Sequence, residues 1–359
     1  MRSVQWFGAH PSEGSVSMQV YLDNLAAVIV KEDTYQIKHW PSRGEVVVNG
    51  GRWERALGKY WQYPNRVRRD SKVDLVHFLD HSSAHLIPKV AKNAKVVATL
   101  HDLIPLRFPG GLSKSQVERF ERNVFNLKYC DAIISVSEYS KQEAVSLLGI
   151  APELIHVLPN GVSSVPDRIE SSEAVNGLRS KGADFVVLSV GSDLKRKNLR
   201  ILPDALRGFE EETGMRAGLL RVGATLDETL ANELGDRLEG RVTELGRASL
   251  KHLQSCYRNC DAVIVPSLYE GFGLPVLEAL SFGKSVACSH SSSLPEVGGG
   301  CVNYFDPESA TEAGKALVAC FEELGEEGKR KNRLDRASKF SWREHLLGFY
   351  EIYDSLLPV

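Results

Sequence analysis

The chain has no apolar run longer than a buried strand. Stretches such as Ala132–Ile134 and Phe185–Leu188 fall far short of the ~18 apolar residues of a membrane-crossing helix, so no membrane span is expected. The start, Met1-Arg2-Ser3-Val4-Gln5-Trp6, has no basic region leading into a long apolar core, and no signal peptide is expected. Cysteine is sparse, six in 359 residues at 130, 256, 260, 288, 301 and 320, which excludes a small disulfide framework. Each lies among apolar neighbours, so buried free thiols in a reducing cytosol are the expectation. Cys256 and Cys260 would share a helix face, but no second Cys/His pair at zinc spacing accompanies them. An excess of one charge is missing too: 44 Lys and Arg stand against 46 Asp and Glu, so no global field draws the chain to nucleic acid. Collagen-like, coiled-coil and disordered readings are excluded by the same composition, which is that of a globular protein of two domains.

Short Val- and Ile-rich runs alternate with helical patterns along most of the length. In the first half the predicted strands are Val46–Val48, Val73–Leu79, Val96–Leu100, Ala132–Val136 and Ile155–Val157. In the second they are Phe185–Val190, Gly218–Val222, Arg241–Leu245, Ala262–Val265, Ser285–Cys288 and Val302–Phe305. Runs that are apolar on both faces and separated by helices indicate parallel strands in a doubly wound sheet. Two such series are present, divided after Leu158-Pro159-Asn160-Gly161-Val162 by the polar stretch Ser163–Ser180, read as a linker. The predicted domains are therefore 1–162 and 163–339. Residues 1–160 carry 20 basic and 16 acidic side chains, and the remainder 24 and 30. Eleven of those basic residues fall in 41–100, against five acidic ones. Its densest part is Arg66-Val67-Arg68-Arg69-Asp70-Ser71-Lys72. This is either a solvated face or a region drawn to an anionic acceptor or membrane surface.

The segment with most chemical content runs from Val263 to Gly283. A buried strand ends at Pro266, the turn Ser267-Leu268-Tyr269-Glu270-Gly271-Phe272-Gly273-Leu274 follows, and a helix opens with Pro275 and stops at Gly283. In an open parallel sheet, ligands bind where strands end and helices begin. Gly271 and Gly273 let a ligand approach the backbone, and the amides of the helix start suit phosphate. Glu270 stands in the turn and Glu278 further into the helix, so they are set for two parts of one elongated ligand. A second strand end, Val190-Gly191-Ser192-Asp193-Leu194-Lys195-Arg196-Lys197-Asn198, leads through a basic loop into a helix expected near Asn198. Arg offers a planar fork to phosphate and Lys a mobile point charge. Read alone, each segment has an ordinary structural explanation: a Gly-rich turn before a helix, and a solvated basic loop.

Together they resemble a known pattern. Glu270 and Glu278, with Gly-Phe-Gly-Leu-Pro between them, look like the Glu-x7-Glu motif of retaining GT-B glycosyltransferases of family 4. Arg196-Lys197-Asn198 is similar to that family's diphosphate loop, although many relatives have Pro where Lys195 stands. The resemblance implies that Glu270 contacts the donor sugar, that Gly271, Phe272, Gly273 and Leu274 present amides to sugar and phosphate, and that Glu278 holds ribose hydroxyls. It implies Arg196 and Lys197 on the diphosphate leaving group. Gly246 and Arg247, after a strand, resemble the stretch that meets the nucleobase. In the first half, His101-Asp102-Leu103-Ile104-Pro105 is similar to the family's His-Asp-x-x-Pro segment, whose His lies near the transferred sugar; the resemblance implies a catalytic role for His101 and an acceptor-side place for Asp102. Gly14-Ser15 occupies the first strand–helix turn, where relatives carry Gly-Gly or Gly-Ile.

His77, His81 and His85 recur every four residues, but His77 belongs to a predicted strand, which breaks a helical metal face. No metal is expected, and His81 is read as an acceptor contact. Ser137 is expected to cap the helix after Ser135-Val136. Trp342–Leu357 reads as an amphipathic helix whose apolar face needs a partner; the resemblance implies that 340–359 crosses back onto the first domain, a membrane-surface helix being the alternative.

The expected fold is α/β of GT-B type: two Rossmann-like, doubly wound parallel-sheet domains facing across a cleft. The expected activity is metal-independent hexosyl transfer, without a cofactor, from a nucleotide-diphospho-sugar, GDP-mannose favoured, to a glycan or lipid-linked glycan acceptor. The chain is read as cytoplasmic, with peripheral membrane contact through 41–100. At this level two alternatives stay open: a GT-B sugar-nucleotide epimerase or phosphorylase, and a non-catalytic sugar-nucleotide-binding partner subunit.

Overall fold

The computed structural model describes residues 2–10, 16–30, 34–40, 58–90 and 92–357. They form two compact units, one of Met1–Gly161 with Ser341–Val359 and one of Val162–Phe340. Among the described residues no helix is long and apolar enough to cross a membrane.

The first unit holds strands β1 (Arg2–Phe7), β2 (Tyr35–Trp40), β3 (Leu75–Phe78), β4 (Lys95–Leu100), β5 (Ala132–Ser135) and β6 (Ile155–Val157) in one sheet of order β2-β1-β3-β4-β5-β6. Its strand pairs are parallel. β1 and β2 are absent from the strands named above. Arg2 and Gln5 interrupt the first, and the second alternates polar residues along a sheet edge, so neither shows an apolar run on both faces. The expected strand Val46–Val48 lies outside the described residues.

The second unit repeats the plan with β7 (Phe185–Gly191), β8 (Ala217–Gly223), β9 (Val242–Glu244), β10 (Ala262–Val265), β11 (Ser285–Ser289) and β12 (Asn303–Phe305), in the order β12-β11-β10-β7-β8-β9. These pairs too are parallel. Two readings need correction here. The polar stretch 163–180 is not all linker, because Ser172 caps a helix, Glu173–Ser180, that buries Val175 and Leu178. And no α-helix opens at Asn198: that residue adopts a left-handed conformation between two short 3-10 turns, and the helix begins at Leu202. Asn tolerates positive φ better than most side chains, and its side-chain Nδ2 donates to the Pro307 carbonyl.

The helix Trp342–Leu356 belongs to the first unit and buries Trp342, Leu346, Phe349, Tyr350, Ile352 and Tyr353. Gly348 is needed for the fit, since a Cβ there would sit 2.7 Å from Leu158 Cδ2. Beneath the helix runs a chain of buried polar groups whose proton directions are fixed by its ends. Trp6 Nε1 can only donate, and gives its hydrogen to Tyr353 Oη at 3.0 Å. Tyr353 therefore donates to His77 Nδ1 at 2.6 Å, and His77 Nε2 donates to Thr99 Oγ1 at 2.9 Å. Thr99 bonds Tyr21, whose hydroxyl lies 2.7 Å from His345 Nε2, and His345 Nδ1 donates to the Pro159 carbonyl at 2.9 Å. Both histidines are held neutral: burial drives His77 well below its ordinary pKa and His345 down to about 4.

Candidate functional site

In a doubly wound sheet the ligand crevice lies where the strand order reverses, outside the carboxyl ends of the two strands that flank the reversal. In the second unit β8 and β9 lie on one side of β7, and β10 on the other. The crevice is thus bounded by the loops after β7 and β10, which are the two segments singled out in the sequence. Gly191 and Gly223 end β7 and β8 with φ of 137° and 131°. A side chain at Gly223 would strike the Gly191 carbonyl, so the two strand ends are drawn together in a way only glycine permits.

Glu270, Arg196 and Lys197 form one cluster, the carboxylate buried and the two cations partly buried. Glu270 is 7% exposed. Its carboxylate accepts from Arg196 Nη1 at 3.2 Å, from Lys197 Nζ, and from Ser267 Oγ at 2.8 Å. Arg196 also donates to the Tyr269 carbonyl at 3.2 Å, and the Leu268 amide donates to the Arg196 carbonyl at 2.7 Å, so the two loops are stitched together. Burial works to raise the Glu270 pKa, but Lys197 and Arg196 overcome it and hold the carboxyl below its usual range. For Lys197 burial prevails, and the ammonium pKa is lowered despite Glu270.

The turn after Glu270 is braced by three serines that the sequence reading passed over. Ser292 Oγ accepts the Glu270 amide at 2.8 Å. Ser293 Oγ, at 2.9 Å from both, donates to the Glu270 and Phe272 carbonyls. Ser291 Oγ donates to the Ser267 carbonyl at 2.7 Å. A run of serines between a strand and Leu294-Pro295 was visible, but nothing in it says which turn it braces. Gly273 has φ 114°, and the helix Leu274–Ser281 starts directly after it with Pro275 in its first turn. Gly271, Phe272 and Leu274 accordingly stand at that helix start, where amides lack intrahelical partners.

Glu278 lies on this helix and accepts from Tyr257 Oη at 2.7 Å. Tyr257 itself stacks on Phe282. Desolvation pushes the Glu278 pKa up to about 7, against the opposing effect of the Tyr257 bond. The folded chain therefore binds more protons here than the unfolded one between about pH 4.5 and 7, and the stability this group contributes is lost as pH rises through that window. Glu278→Gln is expected to remove this slope. Urea unfolding at several values between pH 5 and 8 checks it: the wild-type curve should fall relative to the variant as pH rises, and parallel curves would contradict the assignment.

Gly246 and Arg247 follow β9. Gly246, with φ 59°, accepts the Gly223 amide at 2.8 Å. Arg247 lines a groove of about 1020 Å³ with residues 166–174 and the start of the helix Leu250–Asn259. Glu270, Glu278, Arg196 and Lys197 do not line it, so Arg247 stands apart from the charged cluster.

In the first unit the order reverses between β1 and β3. Gly14 and Ser15, after β1, lie outside the described residues. His81 follows β3 and His101 and Asp102 follow β4. The His101 amide donates to His81 Nδ1 at 3.4 Å, and His101 Nε2 donates to the Leu79 carbonyl at 2.9 Å. Burial lowers the His101 pKa against the pull of Asp80. A neutral ring protonated at Nε2 leaves Nδ1 as an acceptor. Asp102 accepts the Ile104 amide at 3.0 Å and so caps the following turn. Ser137 accepts the Ser140 amide at 3.1 Å and caps its helix, and Ser140 Oγ donates to the His101 carbonyl at 3.2 Å. With both ring nitrogens of His77 bonded inside the core, His77, His81 and His85 do not converge. Among the described residues no group of three metal-ligating side chains occurs. All six cysteines are free, and all but Cys301 are buried.

Residues 31–164 match the family description Glycosyltransferase Family 4, and residues 171–339 match Glycosyl transferases group 1. The chain is 29% identical over 277 residues to O-antigen chain mannosyltransferase B of Escherichia coli, an alignment covering 75% of this chain and 72% of that one. It is 28% identical over 286 residues to the serotype-specific mannosyltransferase WbdA of Escherichia coli, but spans only 34% of that protein's length. Among solved structures, Anabaena HepE in complex with UDP and glucose superposes with a TM-score of 0.73 at 20% identity, over 99% of this chain and 100% of that one.

Proposed function

The chain belongs to the group 1 glycosyltransferases of GT-B fold, and from that premise we propose that it is a retaining mannosyltransferase acting in polysaccharide assembly, with the donor in the second unit. The observation that carries this reading is the cluster of buried Glu270 with Arg196 and Lys197 at the strand-order reversal between β7 and β10. In sugar transfer the bond from the anomeric carbon to the diphosphate oxygen breaks, a new bond forms to the acceptor hydroxyl oxygen, and the acceptor proton leaves with the nucleoside diphosphate. Negative charge grows on the diphosphate as it departs. Fixed cations in a site of low dielectric stabilise that charge without reorganising. Arg196 and Lys197 are assigned this role, Glu270 the sugar, Gly271–Leu274 the phosphate and sugar through their amides, and Glu278 the ribose, where its carboxylate would accept hydroxyl hydrogens. Gly246 and Arg247 are assigned to the base side.

His101, with an acceptor nitrogen on a ring held by Leu79, and His81 and Asp102 beside it, are assigned to the acceptor side. Gly14 and Ser15 join them on the resemblance alone. GDP-mannose is the favoured donor because the two relatives above are named mannosyltransferases. A glycan, free or lipid-linked, is the proposed acceptor, and transfer is proposed to need no metal.

The test is incubation of the purified chain with GDP-mannose, UDP-glucose and UDP-galactose, with and without mannan oligosaccharides, followed by NMR of the products. A longer glycan with the donor's anomeric configuration, formed from GDP-mannose in chelator, supports the reading. Inverted configuration, or a new sugar nucleotide formed without acceptor, would overturn it.

A further inference from the structure

Arg221 lies on β8 with 1% of its surface exposed, beside the cluster but outside every motif described above. Its guanidinium gathers main-chain carbonyls at the carboxyl edge of the sheet. Nη1 donates to the Ser189 carbonyl at 3.1 Å and to that of Val222 at 2.9 Å, and Nη2 to the Gly191 and Ser192 carbonyls at 2.6 and 2.8 Å. Among the described residues no carboxylate forms an ion pair with it, and Nε is buried without a partner. A buried cation is costly to desolvate, and a well-packed apolar side chain of similar volume is often as stable or more so. A strand that needed only filling at this point would be served better by leucine or methionine.

The carbonyls that Arg221 holds begin the loop that carries Arg196 and Lys197. A Cβ on Gly191 would meet Lys197 Cε at 3.5 Å, so the lysine stem passes the clasped segment at about the distance of one side-chain carbon. The charge of Arg221 is felt there, since it contributes to lowering the Lys197 pKa after burial and Arg196. Lys197 thus lies within reach of two further cations, Arg196 and Arg221, and of one carboxylate, Glu270. The acids that act on Arg221, Glu244 and Asp193, are exposed and screened by solvent.

We propose that Arg221 is a positioning residue for the donor diphosphate: it fixes the 189–192 backbone on which Arg196 and Lys197 stand and sets a third positive charge beneath them. This rests on the assignment of Arg196 and Lys197 to a diphosphate.

Calorimetric titration with GDP, UDP, guanosine, uridine and inorganic pyrophosphate tests both claims on the wild type, Arg196→Ala, Arg221→Met and Arg221→Lys. The expected result is that Arg221→Met melts cooperatively yet binds the preferred diphosphate at least about tenfold more weakly, with nucleoside affinity within about twofold of wild type. Arg221→Lys, which keeps charge but not the fork, should fall between, and should show the loss in KM more than in kcat. Should Arg221→Met fail to fold, the same fall in the diphosphate-to-nucleoside ratio is read from Arg221→Lys. A folded Arg221 variant with the wild-type ratio would overturn the inference while Arg196→Ala still lowers it. A wild type that does not distinguish diphosphate from nucleoside would overturn the underlying assignment as well.

Discussion

Glu270→Gln is expected to abolish most sugar transfer while making the chain hold a nucleoside diphosphate more tightly. In the structure the buried carboxylate neutralises Arg196 and Lys197, which are themselves partly buried. A diphosphate that uses the same cations must compete with Glu270 for them. Replacing the carboxylate by an amide removes the competitor, leaves two partly buried cations without a counter-charge, and so destabilises the free protein. Breaking a buried pair by removing one partner costs about 3–5 kcal/mol in general, and the amide oxygen recovers part of that. The variant should therefore melt lower than wild type alone, yet gain more from saturating GDP. Turnover should drop by about 10²–10³, the scale of losing one group that stabilises developing charge. Thermal unfolding with and without GDP, beside a transfer assay, reads both effects. A variant with wild-type melting temperature and an unchanged GDP shift would show that the carboxylate does not compensate these cations.

Tyr353→Phe should be the most damaging single-atom change in the first unit. The hydroxyl accepts from Trp6 Nε1 and donates to His77 Nδ1, and both partners are fully buried. Each buried polar group left unsatisfied costs about 1–3 kcal/mol, so a loss of about 2–5 kcal/mol is expected while the ring still packs against Trp6-side aromatics and Phe349. Urea unfolding at neutral pH measures it, and a loss below about 0.5 kcal/mol would mean that the polar chain does not hold the helix. Acid should act on the same network. The folded-state pKa values of His77 and His345 lie below their unfolded value of about 6.5, so the unfolded chain takes up protons first. The stability they contribute is complete above about pH 6.5 and is lost as pH falls toward 4, the His345 value.

What was legible in the sequence follows the length scale of the chemistry. The Glu270–Glu278 turn lies within one strand–turn–helix segment, and each of its parts has a local reason to be there. Gly273 has a positive φ, Pro275 sits in the first helical turn, and Gly283 stops the helix with φ 68°. The basic loop could be paired with it because both follow strands of one parallel sheet. The bonds that brace this site were not legible. Ser291–Ser293 and Arg221 act almost wholly on main-chain carbonyls and amides, which leave no residue pattern on the partner side. The same holds for Trp6 and Tyr353, 347 residues apart in the chain, whose pairing no local periodicity announces. β2 gives no apolar run because it lies at the sheet edge, where fewer apolar residues are needed, β1 because Arg2, Ser3 and Gln5 interrupt it, and helix Glu173–Ser180 is obscured because its two buried residues are diluted by polar ones.

The central claim is that the second unit binds a nucleotide through its diphosphate, on Arg196 and Lys197. The measurement that meets it most directly is the affinity of GDP and of guanosine for wild type and for the double variant Arg196→Ala, Lys197→Ala. The account predicts that wild type prefers GDP strongly and that the variant loses that preference while its guanosine affinity stays within about twofold. Equal losses for both ligands, or an unchanged preference for GDP, would contradict it.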